Sequence, residues 1–306
     1  PKFEVIEIGT GGSPHWSPDG TKLAFVYMGT LCVANADGKG EIKKIDIPQA
    51  RLWTFDWMDD SSFVVSEKRL WAPPGKGRGH KFIIETVDMK GQVQVVAEDS
   101  IPGLPDAYDF SYIGAPFVLE DGTVGYFEFY EEPNKEETKV FRVIKKGKAN
   151  PDSLKKKVKA FVKPYPEGAI WLESLDGIVR KRVGKESTWI FPQLSPDGNK
   201  LFAINLRGEI IVTDLEGNRL ANLGMGGCES WSPDSKRIVF CIQEESEFDI
   251  VASELYIINA DGTGRTQITD TPDEIETGPV WSPDGTKIAC GSHSSSKIFV
   301  IKLNEE

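Results

Sequence analysis

His15, His80 and His293 are the residues of this chain best suited to chemistry. Imidazole binds metals and moves protons near neutral pH, so the trio forms a metal site if folding converges all three to ~2.1 Å from one ion. Their positions argue against that. His15 lies beside a turn at one end of a predicted strand, whereas His80 and His293 lie by loops at the other end, about one strand length or ~17 Å away. The run Gly75-Lys76-Gly77-Arg78-Gly79 could cradle an anion with backbone N–H groups and two cations. It lacks the Ser/Thr and helix of a P-loop, and with Pro73-Pro74 and three glycines it reads more readily as a flexible basic loop. Carboxylates crowd Gln243 to Asp249 and recur at Asp270, Asp273, Glu274 and Glu276. Such hard oxygen donors suit Ca²⁺ or a basic peptide, although no EF-hand loop is present. There is no G-x-S-x-G elbow and no HExxH pair. The four cysteines, Cys32, Cys228, Cys241 and Cys290, form no CxxC pair and read as small buried side chains on strands.

Composition narrows the partners. Across 306 residues, 47 Asp and Glu oppose 36 Lys and Arg, giving a net charge of −11, which disfavours an electrostatic grip on nucleic acid. No apolar run approaches the ~20 residues of a membrane span. Residues Pro1 to Thr10 have neither a basic nor an apolar leader segment, so the sequence reads as a processed or trimmed form. The charge is bipolar. Lys139 to Lys163 holds ten basic residues and one acid, about +9, leaving about −20 elsewhere. Within that stretch, Asn150-Pro151-Asp152 resembles a helix start and Leu154, Val158, Phe161 and Val162 recur at helical spacing. The spacing predicts a short helix that docks its apolar face and shows lysines to solvent or to an acidic partner.

These residues are positioned by a repeat. Trp16–Gly20, Leu194–Gly198, Trp231–Ser235 and Trp281–Gly285 read W/L-S-P-D-G/S, and Trp57–Ser61 and Val118–Gly122 are degraded copies, so the Asp recurs six times. Pro presets φ for a type I turn, Asp bonds its own backbone and Gly accepts positive φ. Apolar, β-branched strands flank each turn, and the preceding Trp is expected between stacked sheets. A second turn follows at Asp37-Gly38, Lys90-Gly91, Asp176-Gly177, Glu216-Gly217 and Asp261-Gly262. Each unit is therefore four antiparallel strands, a to d, as in a propeller blade. The last unit runs out after its third strand, while Phe3 to Ile8 is an orphan alternating strand. The expected fold is an all-β, six-bladed β-propeller in one domain, with the N-terminal strand 3–8 completing the last blade and leaving no open edge. The blades fall at about 12–47, 51–98, 107–184 with an insertion at 131–167, 187–223, 226–270 and 276–303. Long b–c and d–a loops, at 69–80, 99–109, 131–167 and 244–253, all project from one face, the usual place for a site on a rigid scaffold.

The pattern from Trp231 to Gly262, and from Trp16 to Gly38, resembles the PD40-type repeats of TolB-like six-bladed propellers. The resemblance implies a scaffold, often extracytoplasmic, whose funnel and channel receive a protein or peptide segment. It also implies that Ca²⁺ in the channel is compatible with the fold, though no cofactor is required, and that a metal-assisted oligogalacturonate-type lyase is the alternative activity. A third reading is a detached sensor or scaffold subunit of a larger envelope or peptidase assembly. The expectation is a monomeric, non-catalytic binding module. Its candidate contacts, chosen by loop position and by aromatic or charged character, are Trp53, Trp71, Arg78, His80, Tyr108, Asp109, Tyr130, Trp189, Arg207, Glu247 and His293.

Overall fold

The computed structural model describes residues 3–47, 52–71, 79–101, 117–118, 124–130, 139–144, 158–162, 170–174, 180–184, 189–246 and 249–303. All the elements among them are strands. After β1 (Glu4–Thr10), the first sheet comprises β2 (Gly12–Trp16), β3 (Lys22–Tyr27), β4 (Thr30–Asn35) and β5 (Lys43–Ile45). The second holds β6 (Leu52–Asp59), β7 (Ser62–Trp71), β8 (Gly79–Asp88) and β9 (Val93–Ile101). Two three-stranded sheets follow: β10 (Phe117–Val118), β11 (Val124–Tyr130) and β12 (Lys139–Ile144), then β13 (Val158–Val162), β14 (Ile170–Ser174) and β15 (Arg180–Arg182). The fifth comprises β16 (Trp189–Leu194), β17 (Lys200–Asn205), β18 (Glu209–Asp214) and β19 (Arg219–Met225). The sixth has β20 (Gly227–Trp231), β21 (Arg237–Glu245), β22 (Ile250–Asn259) and β23 (Thr266–Gln267). The last contains β24 (Glu276–Trp281), β25 (Lys287–Ser292) and β26 (Lys297–Lys302), with β1 as its fourth strand.

The N-terminal closure is as expected. β1 runs antiparallel to β26, with Glu4 opposite Lys302, Val5 opposite Ile301 and Thr10 opposite Lys297. Ile8 is buried with Trp16 and Phe25 of the first sheet and Ile298 and Val300 of the last. Gly38, in the β4–β5 turn at φ 72, lies so close to β1 that a Cβ there would meet Ile6 at 2.8 Å.

The described strands differ from expectation between 107 and 184. In place of one blade with an insertion at 131–167 there are two separate sheets, so the described residues form seven sheets. The predicted helix is also absent where its second half is described: Val158–Val162 is β13, paired in register with Ile170–Ser174 of β14. Two valines and a phenylalanine in five residues favour a pleated, half-buried surface, and the pairing partner decides what local propensity leaves nearly even.

The core lies in the seams between sheets. Phe202 and Ile210 of the fifth sheet pack on Trp231 and Phe240 of the sixth, and Leu255 and Ile257 of the sixth on Ile288 and Ile301 of the last. The repeat Trp pins each seam. Trp57 Nε1–H donates to the His15 carbonyl at 3.0 Å, Trp16 to Val280 at 3.1 Å and Trp231 to Gln193 at 3.1 Å, each acceptor belonging to the preceding sheet of the ring. The Trp16 bond crosses the closure. Trp281 is the exception: its indole N–H is buried without an acceptor, while the Arg237 guanidinium lies 4.8 Å from its ring centroid. Trp231→Phe should therefore cost about 1 kcal/mol more than Trp281→Phe, because only the former strands a bonded carbonyl. Urea unfolding of the two variants checks this, and equal losses would contradict it.

The repeat turn contains a partner that the Pro-Asp-Gly rationale omits. Ser17, Ser195, Ser232 and Ser282 are buried. Ser17 Oγ donates to Asp19 at 2.6 Å and accepts the Lys22 N–H at 2.9 Å. The same two bonds recur at Ser195, Ser232 and Ser282. The hydroxyl thus locks the turn to the start of the next strand, and the Ser17 hydroxyl and Thr21 N–H hold the Asp19 carboxyl down at about 2.

Candidate functional site

The two ends of the sheets are built differently. One carries the repeat turns and the third-to-fourth-strand turns, braced as above. The opposite end, called here the mouth, carries the second-to-third-strand turns and the links between sheets. Long hairpins reach it: β7 and β8 stay in register as far as Trp71 opposite Gly79, and β21 and β22 as far as Glu245 opposite Ile250.

Large apolar side chains lie uncovered at the mouth. Met28, in the β3–β4 turn, is 88% exposed, Leu206, in the β17–β18 turn, 74%, and Phe191, on β16, 72%. Met225, at the end of β19, and Val251, near the start of β22, are exposed as well. Four of the exposed apolar residues, Ile190, Phe191, Leu206 and Met225, gather at the mouth end of the fifth sheet. Ile190 pairs with Ile204, two residues before Leu206, and Gly226, next to Met225, donates its N–H to Gly208 in the Leu206 turn at 3.2 Å. That turn is rigid. Asn205 Oδ1 accepts the N–H groups of Arg207 and Glu209 at 2.9 and 3.0 Å. The Glu209 carboxylate accepts the side-chain amides of Asn205 at 2.7 Å and Asn222 at 3.0 Å, bonds that hold its carboxyl below the usual range.

Phe191 is also strained. It sits at φ 50 where the β16–β17 register shifts between Ile190 and Gln193. The left-handed region costs a residue with a Cβ ~1–2 kcal/mol. The equivalent position three residues before Trp281 is occupied by Gly278, at φ 57. Ser13, three residues before Trp16, also lies in this region, at φ 53, so the bend belongs to the repeat; what sets Phe191 apart is a large aromatic side chain left exposed there.

Of the expected contacts, Arg207 is exposed at the tip of the braced turn beside Leu206. His293 is exposed between β25 and β26, and its N–H donates to the Ile275 carbonyl at 2.8 Å. Trp53, Trp71, His80, Tyr130 and Trp189 lie on β6, β7, β8, β11 and β16, but their side chains fall outside the described residues. Arg78, Tyr108, Asp109 and Glu247 fall outside them altogether, as does the Gly75–Gly79 run apart from Gly79. Phe191, Met28, Leu206 and Met225 escaped the sequence reading. The only signal was an apolar residue within or beside a turn or bulge, which strand alternation does not flag.

His15 faces the first seam, with Nδ1 3.6 Å from Asp56 Oδ1 and its ring 4.6 Å from that of Phe55. Among the described residues no three His, Cys, Asp or Glu side chains group to hold a metal. The acidic loops are otherwise engaged. Glu274 Oε2 accepts the hydroxyls of Ser292, Ser295 and Ser294 at 2.5, 2.6 and 3.3 Å. Glu276 turns inward, where it is 2% exposed. Cys32, Cys241 and Cys290 are buried, as expected. Among the described residues no helix is long and apolar enough to cross a membrane.

Sheets radiating from first strands that neighbour one another in sequence around a ring define a β-propeller. Residues 162–306 match the family model described as the TolB beta propeller domain. The fold is similar over 99% of the chain to a TolB candidate from Agrobacterium tumefaciens, at TM-score 0.52 and 16% identity, covering 98% of that chain. It is also similar to the Cps50 (Swd1) β-propeller domain of Myceliophteria thermophila, at TM-score 0.60 and 12% identity over 98% of both chains. Sixty-eight residues are 37% identical to dipeptidyl-peptidase 5 of Porphyromonas gingivalis, covering 22% of this chain and 10% of that protein. The fold is thus a β-propeller, and residues 162–306 are TolB-like.

Proposed function

We propose that the chain is a binding module without chemistry of its own, which takes an apolar protein or peptide segment at its mouth. One observation carries this reading: Phe191 is 72% exposed at a bend of φ 50, on the sheet that also presents Leu206 on a braced turn and Met225 at the end of β19. Exposed aromatic and aliphatic anchors on a rigid frame are what interface hot spots are made of. A large aromatic side chain left in solvent at that bend is suited to a contact made outside the chain. Arg207 supplies a charged rim to the same patch.

A photo-crosslinking residue in place of Phe191 or Leu206, in the full chain within its native extract, should give discrete protein adducts. The same residue at Asp261, in a turn at the opposite end, should give none. Adducts of equal yield at both ends, or none at the mouth, would overturn the reading. Phe191→Gly separates the two roles: it relieves the left-handed backbone and should raise stability by about 1 kcal/mol, while abolishing adducts formed from Leu206. A variant that loses stability, or keeps its adducts, contradicts the assignment of Phe191.

A further inference from the structure

A second recess lies away from the mouth, on the face of the last sheet that is turned toward the sixth. All four strands of that sheet contribute, β1 through Val5 and Glu7, β26 through Phe299 and Ile301, β25 through Cys290 and the innermost strand β24 through Glu276. The recess has a volume of about 250 Å³, the space of roughly eight waters. Val5 and Glu7 are exposed and form its entrance on the outer strand, so it reaches from solvent to a carboxylate that is 2% exposed.

That carboxylate is incompletely satisfied. Glu276 Oε1 accepts the Thr271 hydroxyl, but its buried Oε2 has no partner. Glu254, whose charge acts on Glu276, accepts the Thr271 N–H at 2.9 Å through Oε1, and its Oε2 is also unpartnered. Lys297 lines the recess, but its ammonium is held by Glu7 at 2.8 Å. Two carboxylates thus share a poorly solvated corner, and among the described residues neither forms an ion pair. Burial, and then the Glu254 charge, push the Glu276 carboxyl up to about 7. A buried acceptor without a donor costs ~1–3 kcal/mol.

We propose that this recess binds a small organic ammonium ion, its N–H groups donating to Glu276 Oε2 and its apolar body lying on Val5, Phe299 and Ile301. The charge of the group follows from the paired carboxylates, and the apolar body from the walls. The volume exceeds that of a bare metal ion. Because Val5 and Glu7 belong to the strand that closes the ring, an occupant bridges β1 to β24 and stabilises the closure.

Benzylamine is a suitable probe, with benzyl alcohol as its uncharged counterpart, titrated into the full chain at pH 8 by calorimetry and by thermal unfolding. The amine should bind and raise the unfolding midpoint, and the alcohol should bind at least tenfold more weakly. Glu276→Gln should weaken the amine at least tenfold while leaving the chain folded, and Val5→Trp, a change at an exposed position, should block the entrance with the same result. Lys297→Met, by freeing Glu7, should not weaken it. Equal binding of amine and alcohol, undiminished amine binding to Glu276→Gln and Val5→Trp, or no binding of the amine by the unaltered chain would overturn the proposal.

Discussion

Ile8→Asp should destabilise the chain by at least about 4 kcal/mol, or prevent its folding, whereas Val5→Asp on the same strand should change stability by less than about 1 kcal/mol. The contrast follows from alternation. Ile8 is 7% exposed and packs in the seam between the first and last sheets, where an unpaired carboxylate finds neither water nor a cation. Val5 points to the other face and is 46% exposed. Deleting Pro1–Ile8 tests the same seam, because it uncovers the ladder edge of β26 and the buried faces of Ile298 and Val300. The deleted chain should show a lower unfolding midpoint and self-associate through the exposed edge. The ion pairs Glu4–Lys302 and Glu7–Lys297, both 2.8 Å but solvent-exposed, are minor contributors, because water and salt screen them. Urea midpoints and sedimentation of the variants check these expectations; an unchanged midpoint in Ile8→Asp or in the deletion would refute closure by β1.

Glu276→Gln should stabilise the chain by up to about 3 kcal/mol at pH 8 and by almost nothing at pH 4. Burial raises the Glu276 carboxyl from 4.5 to about 7, so the folded state holds the proton that the unfolded chain releases first. The stabilisation by that proton is complete below about pH 4.5 and is lost as pH climbs to about 7. A shift of this size corresponds to roughly 3 kcal/mol. Gln mimics the protonated acid at every pH and removes the loss. The turn aspartates act in the opposite sense. Asp19 is held at about 2 by the Ser17 hydroxyl, and Asp284, despite burial that would raise it, by Ser282 and Thr286. Their stabilisation is present above about pH 3.8 and disappears as pH falls toward 2. Stability should therefore peak in mildly acidic solution, and in Glu276→Gln the alkaline limb of that profile should flatten. Unfolding midpoints measured from pH 3 to 9 test this; a limb of unchanged slope in the variant would show that another group carries it.

The readable parts of this chain were those whose causes are local. Pro, Asp and Gly at fixed offsets dictate a turn whatever surrounds them, and the turns at Gly20, Gly198 and Gly285 have the positive φ that glycine permits. Counting strands between turns then assigned residues 3–8 to the last sheet, because an unpaired edge and a missing strand satisfy each other. The signal was weaker between 107 and 184, where Ser-Pro-Asp-Gly is degraded and helical spacing at 150–162 competed with strand pairing. There β13 exists because Ile170–Ser174 lies beside it, a partner that no local pattern names.

Side-chain fate was less legible still. Glu274 and Glu276 sit two residues apart in one acidic stretch and read as a pair of surface ligands, yet one is tied to three serines and the other is buried. Phe191 gave no signal beside the more conspicuous Trp189, and a register shift turned it outward. The amino-acid sequence by itself determined the strands, their tight turns, the ring and its closure, since these follow from backbone geometry and short-range hydrogen bonding. The tertiary structure alone decided which apolar groups stay wet and which carboxylate goes dry, since desolvation depends on what other sheets bring to the same point in space.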